Sequence, residues 1–280
     1  VEAKIHTKSK RAEISGMFDY KQESGEPIFI PTKEVLSLVH GMHHPDHDEQ
    51  TVEWIFDGTY TDLSKRLLKK ATEDAAIEKD PRLAAIIPKL VDLIRGRYDL
   101  EDGKFCFEAG EYVDKKDPKR SAAKHAQMYQ DSTILKFQPA GDARYSSSMT
   151  AEGFKKIGVL HRLLSNGQLA PGVSGPLFWD EPEANLNPKL MRQVVEILLE
   201  LARNGQQVII ATHDYVFLKW FDLLANSGKA DHVQFHHLTH NEQGSVSVSS
   251  TDNFSLISKT SISESFTELY DADIERALGE

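Results

Sequence analysis

The chain has 280 residues, enough for one large domain or two modest ones, and a hydrophobic content of 40% is sufficient to build a core. No run approaches the roughly 18 consecutive apolar residues of a membrane span, and the single cysteine, Cys106, excludes an internal disulfide framework. The net charge of −10 argues against a surface that coats nucleic acid throughout. We therefore expect a cytoplasmic protein with no membrane partner.

The first part of the chain, residues 1–40, predicts strands. Val1–Arg11 has a strand-like pattern, and two apolar runs follow it, Ile14–Phe18 and Pro27–Ile30, separated by polar residues. Proline cannot donate a hydrogen bond to a neighbouring strand, so the second of these strands should end at Pro31.

The next part, residues 41–130, has a mainly helical pattern. The pair Asp80-Pro81 favours a helix start, and apolar residues at helical spacing continue from there to a stop at Gly96. Tyr98–Phe107 predicts a hairpin that turns at Asp102-Gly103. We interpret this part as a mainly helical insertion with a small hairpin.

Helices and strands alternate in residues 131–251. The pattern predicts a helix over Ala151–Leu164, a strand over Pro176–Asp180, a helix over Leu190–Arg203, a strand over Val208–Thr212 and a hairpin of His232–Leu238 with Ser245–Ser250. An Asn-Gly pair should end each of the two helices, and the apolar run of the second strand predicts burial on both faces of a parallel sheet. Because strand, helix and strand form a βαβ unit, the predicted fold class is α/β. A helical tail should follow over residues 252–280.

Two adjacent carboxylates, Asp180 and Glu181, end the first of these strands. A rigid strand end can hold Asp180 near a magnesium ion through water, since magnesium keeps most of its hydration shell. Glu181 can then polarise a water molecule toward a γ-phosphate. This segment resembles the Walker B strand of ABC-type ATPases. The alternative is a strand end whose acids merely face solvent.

Two later segments favour the ATPase interpretation. Glu183–Pro188 resembles the D-loop of the same superfamily, and Ile209–Asp214 resembles its switch-histidine strand. In that strand the imidazole, here of His213, can hydrogen-bond a γ-phosphate oxygen. A lone histidine after an apolar run is usually only a strand-end residue, but both motifs occur in this order across one βαβ unit.

A third segment, Ser148–Lys156, lies upstream where ABC ATPases carry their signature motif. A small hydroxyl, Thr150, and Gly153 at a helix N-terminus can present free backbone N–H groups to a phosphate. In an ABC dimer that phosphate belongs to the partner's ATP. The same residues, with Glu152, are also typical of ordinary helix capping, and the two interpretations are compatible.

From Ile28–Glu34 to Ile210–Asp214 the chain resembles a bacterial AAA-type ATPase of the ABC-like group related to overcoming-lysogenization-defect and RecF-type proteins. The resemblance is weakest in residues 41–130. It implies the C-terminal part of an ABC-type P-loop NTPase, in which residues 1–40 are the remainder of an N-terminal ATPase sheet and residues 131–251 form the catalytic lobe. It implies ATP and Mg²⁺ as cofactors and an ATP-dependent homodimer. Roles in DNA maintenance or phage defence, with DNA or an effector protein as partner, follow by analogy alone.

The resemblance also assigns the site residues. It gives catalytic roles to Glu181 and His213, metal binding to Asp180, and nucleotide contacts to Asp180, Thr150, Glu152, Gly153, Asn185 and Asn187.

The phosphate-binding loop G-x-x-x-x-G-K-[ST] is missing from the sequence. The nearest segment, Asn226–Ala230, lacks the first glycine and the final hydroxyl. We expect the loop to lie before Val1, as it does in the family. The competing hypothesis is a non-catalytic interaction module that keeps the ATPase fold without binding nucleotide.

Two clusters of charged or ligating residues have simpler interpretations. The histidines His40, His43, His44 and His47 have no paired Cys or HExxH spacing, which favours a solvated loop over a zinc site. The lysine-rich segment Asp114–Lys124 could contact a nucleic-acid backbone. Its interspersed aspartates favour a solvated loop.

Overall fold

A three-stranded parallel sheet holds the residues of the predicted site. The computed structural model describes residues 2–5, 12–15, 25–44, 46–47, 49–70, 81–116, 135–170, 173–240, 245–257 and 261–278. Within them the strands β3 (Ile28–Ile30), β7 (Leu177–Asp180) and β8 (Val208–Ala211) pair in the order β3-β7-β8, all parallel. Helix α6 (Pro188–Arg203) connects β7 to β8. The predicted βαβ unit is therefore confirmed.

Only one face of this sheet is fully covered by the described residues. Ile30 and Trp179 are buried on the covered face, whereas the opposite face carries Phe29 and Ile209, which are 36% and 39% exposed. The prediction that β8 is buried on both faces is wrong. An apolar run indicates that a strand can be buried, but burial also requires other elements that pack against it. Strand β8 pairs with no described strand besides β7.

The helices around the sheet follow their local sequence signals. Helix α5 (Glu152–Ser165) ends at Asn166 with Gly167 in the left-handed region, at φ 72°. Helix α6 begins after the N-cap Asn187 and ends before Gly205, at φ 90°. Glycine adopts this conformation without steric cost, which is why Asn-Gly pairs end helices. The predicted boundaries are confirmed to within two residues.

A second sheet is antiparallel and lies between the helical segments. Its strands are β4 (Gly96–Glu101), β5 (Lys104–Asp114) and β6 (Leu135–Ser146), in the order β4-β5-β6. The predicted hairpin turns at Asp102 and Gly103, both with positive φ. Strand β6 was not predicted, because Pro139, Gly141 and a run of exposed polar residues conceal it. The sheet crosses the expected limit between residues 41–130 and 131–251, so the expected small hairpin is two strands of a larger sheet.

The remaining elements are short or peripheral. They are β1 (Glu2–Ile5), β2 (Ala12–Ser15), α1 (Val39–Met42), α2 (Glu49–Ile55), α3 (Gly58–Leu67), α4 (Pro81–Ile94), α7 (Tyr215–Leu224), β9 (Phe235–His240), β10 (Val246–Thr251) and α8 (Ser261–Leu278). The first two strands form an antiparallel hairpin, as do β9 and β10. The predicted strand Ile14–Phe18 overlaps β2 only in part, and residues 16–24 lie outside the description. Most of the lysine-rich segment, residues 117–124, also lies outside it.

One hydrophobic core joins the two sheets. It includes Ile28 and Leu177 of the parallel sheet, Tyr98 of the antiparallel sheet and Leu160 of α5. The predicted insertion therefore packs into the same core as the predicted catalytic lobe. No helix in the described part of the chain is long and apolar enough to span a bilayer.

Candidate functional site

The two carboxylates at the end of β7 are held in different ways. The Asp180 carboxylate accepts a hydrogen bond from the hydroxyl of Thr32, which follows β3. Glu181 has a positive φ of 44°, and its backbone N–H donates to the carbonyl of Ala211 in β8 at 2.8 Å. Because parallel strands end at the same edge, residues that follow three different strands meet here.

His213 contacts Glu181 directly. Its Nδ1 lies 2.7 Å from Oε1 of Glu181, and the two side chains are 74% and 30% exposed. An ionised carboxylate at Nδ1 favours the tautomer that carries its proton there, which leaves Nε2 for another partner. The structure thus brings together the two residues to which the sequence assigned catalysis.

The segment that resembles a D-loop is a tight turn after Glu181. The N–H of Ala184 donates to the carbonyl of Glu181 at 3.1 Å, and Asn185 is left-handed at φ 64°. The Asn187 side chain accepts from the N–H of Lys189 at 3.0 Å and caps α6. Asn187 therefore has a structural task whether or not it meets a nucleotide.

The first turn of α5 packs against this segment. The Asn185 side chain donates to Glu152 at 2.6 Å. A Cβ added at Gly153 would lie 2.6 Å from the carbonyl oxygen of Asn185, far inside contact distance. Glycine at this position therefore lets the two segments approach each other. Of the predicted nucleotide-contacting residues brought together here, Glu152 and Asn185 are exposed and Gly153 is buried beneath them.

Thr150 does not cap α5. The N-cap is Ala151, and no side chain of the described residues caps the first turn. The Thr150 hydroxyl instead donates to the carbonyl of Ser147 at 2.7 Å and lies 2.6 Å from the hydroxyl of Tyr98, whose pKa burial raises. The capping interpretation is thus wrong for Thr150. Within the part of the chain that the structure describes, the backbone N–H groups at the start of α5 have no side-chain cap.

Sequence reasoning missed the residues that hold the carboxylates in place. These are Thr32, Lys156 and Glu183. The Lys156 ammonium donates to the carbonyl of Glu181 at 2.7 Å, and Glu183 accepts from the hydroxyl of Thr212, next to His213. A lysine on an otherwise apolar helix face was the one available signal, since these contacts join residues far apart in sequence.

Glu183 is a buried acid at the centre of this arrangement. It is 5% exposed, and its Oε2 has no hydrogen-bond partner among the described residues. Burial raises the pKa of Glu183, the carboxylates of Asp214 and Glu181 add to this, and the hydrogen bond from Thr212 opposes it. The side chain connects the segment after Glu181 to the residue before His213.

The histidine cluster in the helical part shows no metal-binding geometry. His43 Nε2 lies 2.8 Å from the Ser64 hydroxyl, and His47 Nδ1 lies 2.7 Å from the carbonyl of Gly41. Burial lowers the pKa of His43. No group of three or more His, Cys, Asp or Glu suited to a metal occurs in the part of the chain that the structure describes.

A match to a protein-family model shows the family of the chain. The model described as "AAA domain, putative AbiEii toxin, Type IV TA system" matches residues 59–219, more than half of the chain. The chain belongs to this AAA-domain family. The match includes the whole of the site except Thr32, and it confirms the resemblance to ABC-like AAA ATPases. The fold class is that of an α/β P-loop NTPase.

Curated relatives of the AAA domain are ATP-binding proteins of transporters. The chain is 34% identical over 88 residues to the macrolide export ATP-binding/permease protein MacB of Chlorobium luteolum, which covers 26% of this chain and 13% of that protein. It is 31% identical over 75 residues to the L-cystine import ATP-binding protein TcyN of Bacillus subtilis, covering 27% and 26%. The chain thus spans about a quarter or less of these relatives.

Solved structures similar to the AAA domain include heads of Smc proteins. One is the Smc head domain bound to the C-terminal domain of ScpA, derived from Pyrococcus furiosus, at 14% identity, 80% and 41% coverage and a TM-score of 0.33. Another comes from work on ATP-driven dimerization and DNA-stimulated activation of SMC ATPases, at 11% identity, 71% and 97% coverage and a TM-score of 0.36.

The oxygen donors at the strand ends of the AAA domain fit a magnesium ion. Asp180 and Thr32 offer hard oxygen atoms side by side. Magnesium usually takes only one or two carboxylates from the protein and completes its shell with water and phosphate, so a full protein cage is not needed. The donor chemistry therefore suits the cofactor that the family implies.

Proposed function

We propose that this AAA-domain protein binds and hydrolyses ATP and that nucleotide controls its dimerisation. The observation that carries the proposal is the convergence of Asp180, Glu181 and His213 at one sheet edge, with Glu181 and His213 2.7 Å apart. Membership in an ABC-like AAA family supports general ATPase activity. The residue roles and the dimer are our inference.

In this proposal Asp180 binds the magnesium ion and Thr32 positions the Asp180 side chain. The carboxylate of Asp180 binds Mg²⁺ directly or through water, and the Thr32 hydroxyl fixes its rotamer through their hydrogen bond. Bound Mg²⁺ neutralises charge on the phosphate oxygens.

Glu181 orients the attacking water and accepts its proton. A general base must lie within hydrogen-bond reach of the water, and its orientation matters as much as its pKa. The contact with His213 holds the Glu181 carboxylate at the sheet edge, and the Nε2 atom of His213 remains available to a γ-phosphate oxygen. Glu181 must turn from His213 to water in the active state.

The start of α5 completes the site of a second copy. Its first N–H groups have no side-chain cap among the described residues, and a helix N-terminus favours anions. The buried Gly153 lets Asn185 approach the helix start, where the exposed Glu152 and Asn185 are hydrogen-bonded to each other. We assign this exposed helix start to a partner's nucleotide. The Thr150 hydroxyl is already engaged, so we assign its contribution to the shape of the turn.

ATP binding also requires a phosphate cradle. The 280 residues contain no G-x-x-x-x-G-K-[ST] segment, so the proposal requires a cradle from outside them. The absence of this motif also favours the alternative, a non-catalytic interaction module. Without a phosphate cradle, the two carboxylates at the strand end repel the negatively charged nucleotide.

The biological setting is a further part of the proposal. The family description names a toxin of a toxin–antitoxin system, which fits a role in phage defence. DNA maintenance is the other setting that the resemblance implies, with DNA or an effector protein as partner.

Phosphate release from Mg-ATP by the full-length protein is the direct test. Asp180→Asn should remove most of the release, whereas Asp222→Asn, which alters only the ion pair of Asp222 with Lys219 on α7, should not. Light scattering with and without Mg-ATP measures the dimer. Release that is equal in wild type and Asp180→Asn contradicts the proposed site.

A further inference from the structure

Two consecutive lysines in the first turns of α5 are buried. Lys155 is 5% exposed and Lys156 only 1%, although lysine is rarely buried without a partner. Lys155 pairs with the Glu34 carboxylate at 2.8 Å. Lys156 instead donates to a backbone carbonyl, that of Glu181, at 2.7 Å. The second contact connects α5 to the main chain of the proposed base.

Glu181 needs this support because its backbone is strained. A φ of 44° is unfavourable for a residue with a Cβ and persists only where neighbouring contacts impose it. Its N–H is fixed by Ala211 of β8, and its carbonyl accepts from Ala184 and Lys156. Among the described residues, only Lys156 binds the Glu181 backbone from outside the two strands and the turn that follows β7.

We propose that Lys156 is a positioning residue, which holds Glu181 in this strained conformation and couples it to the first turn of α5. This proposal rests on the proposed function of Glu181. Lys156 follows Glu152 by four residues and Gly153 by three, so all three lie on the same side of one helix. A shift of the helix start, where we place a partner's nucleotide, therefore moves the ammonium group that grips the Glu181 carbonyl.

The charge of Lys156 has a second effect at the site. Burial lowers the pKa of Lys156, whereas the carboxylates of Glu183, Glu181, Asp180 and Glu152 favour its charged form. The positive charge of the Lys156 side chain is thus attracted by the acids of the site whose backbone it binds.

A matched control exists in the same helix. Arg162 is 3% exposed, and it donates to the backbone carbonyls of Leu67 and Lys69, at the far end of α5 from the site. Loss of Lys156 and loss of Arg162 each remove a buried cation that binds main-chain oxygen. Only the loss of Lys156 should change the position of Glu181.

The proposal can be tested by NMR of the full-length protein labelled with ¹³C-histidine. The chemical shift of the imidazole Cε1 of His213 reports its contact with Glu181. His213→Gln assigns the resonance, and Glu181→Ala gives its position without the contact. In Lys156→Met the resonance should move toward the Glu181→Ala position, and in Arg162→Met it should not. In ATPase assays Lys156→Met should lower kcat by about 10- to 100-fold with KM for ATP little changed, as expected of a misplaced group.

Lys156→Arg covers the case in which Lys156→Met does not fold. The arginine side chain can still donate a hydrogen bond to the Glu181 carbonyl, but because it is longer it shifts the position of that carbonyl. The His213 resonance should therefore move less than in Glu181→Ala, and kcat should be partly retained. An unchanged resonance in every folded Lys156 variant overturns the proposal. The two proposals can fail separately. If the wild-type protein has no ATPase activity but the His213 resonance still moves in Lys156→Met, the result supports the positioning of Glu181 by Lys156 and contradicts the proposed function.

Discussion

The Glu181 carboxylate and the His213 imidazole contact each other at 2.7 Å, so each of the two proposed catalytic groups is the other's hydrogen-bond partner. In the proposed mechanism Glu181 must accept a proton from water, and its contact with Nδ1 of His213 competes with that water, whereas Nε2 of His213 stays available to a phosphate oxygen. We therefore interpret the contact as a resting arrangement that Glu181 leaves when water and nucleotide bind.

Glu181→Gln in the full-length protein should remove at least about 99% of ATP hydrolysis and leave ATP affinity within a few-fold. The carboxylate acts on water in the transition state, whereas binding depends on a phosphate cradle and magnesium. The ATP-bound dimer should accumulate as a larger species in light scattering. Glu196→Gln, an exposed residue of α6, is the control. Wild-type hydrolysis by Glu181→Gln contradicts the role of Glu181.

Gly153→Ala should destabilise the fold, because its Cβ would lie 2.6 Å from the carbonyl oxygen of Asn185. Overpacking of this kind costs about 1–3 kcal/mol, which lowers the Tm of a chain of this size by about 2–8 °C. Scanning calorimetry or circular dichroism measures the change. Gly58→Ala is the matched control, since it also lies in the first turn of a helix but has nothing within 4 Å of the added Cβ. Equal Tm values for the two variants would show that α5 and the segment after β7 are not in close contact.

Glu183→Gln should become relatively more stable than wild type as the pH rises. The folded pKa of Glu183 lies above its ordinary value of 4.5, mainly through burial. Between 4.5 and the folded pKa the native state binds more protons than the unfolded state, so the free energy of unfolding falls as pH rises through that range. Glutamine lacks this loss and retains a hydrogen-bonding partner for Thr212.

Urea unfolding at pH 4.5 and pH 7, without magnesium or nucleotide, measures this effect. The difference in unfolding free energy between Glu183→Gln and wild type should be more favourable to the variant at pH 7. A pH-independent difference for Glu183→Gln would mean that Glu183 is not held at a raised pKa.

Local signals in the sequence predicted those parts of the fold that are locally determined. The ends of α5 and α6 follow from Asn-Gly pairs, and the hairpin follows from Asp102 and Gly103, because these residues adopt left-handed backbone at low cost. Strand β6 and the exposed face of β8 could not be predicted in this way. Both depend on what packs beside the strand, which no local pattern records.

The site shows the same division. Asp180, Glu181 and His213 stand at the ends of apolar strands, which the sequence displays. Thr32 lies 148 residues from Asp180, and Lys156 lies 25 residues from Glu181, so their contacts exist only through the fold. The two types of information are complementary: motifs indicate which groups react, and tertiary contacts indicate which groups hold them.

The last prediction concerns ATP binding by Val1–Glu280 alone. These residues supply Asp180, Glu181 and His213 but not the backbone cradle and lysine that bind the β- and γ-phosphates in P-loop NTPases. Two carboxylates should repel the nucleotide, and magnesium should offset only part of that repulsion. We therefore expect isothermal titration of this segment with Mg-ATP to show weak binding, with a Kd of about 1 mM or more, or none.

The same titration on a longer chain that contains a phosphate-binding loop is the matched comparison, and it should give micromolar affinity. ATP-driven dimerisation of Val1–Glu280 should also fail, because the start of α5 in each partner needs a bound γ-phosphate as its contact. The segment must first pass a folding check by circular dichroism, so that weak binding reflects the missing cradle and not an unfolded chain. Micromolar binding by Val1–Glu280 would mean that these residues hold a phosphate-binding loop of another form, and it would remove the need for a cradle from outside them.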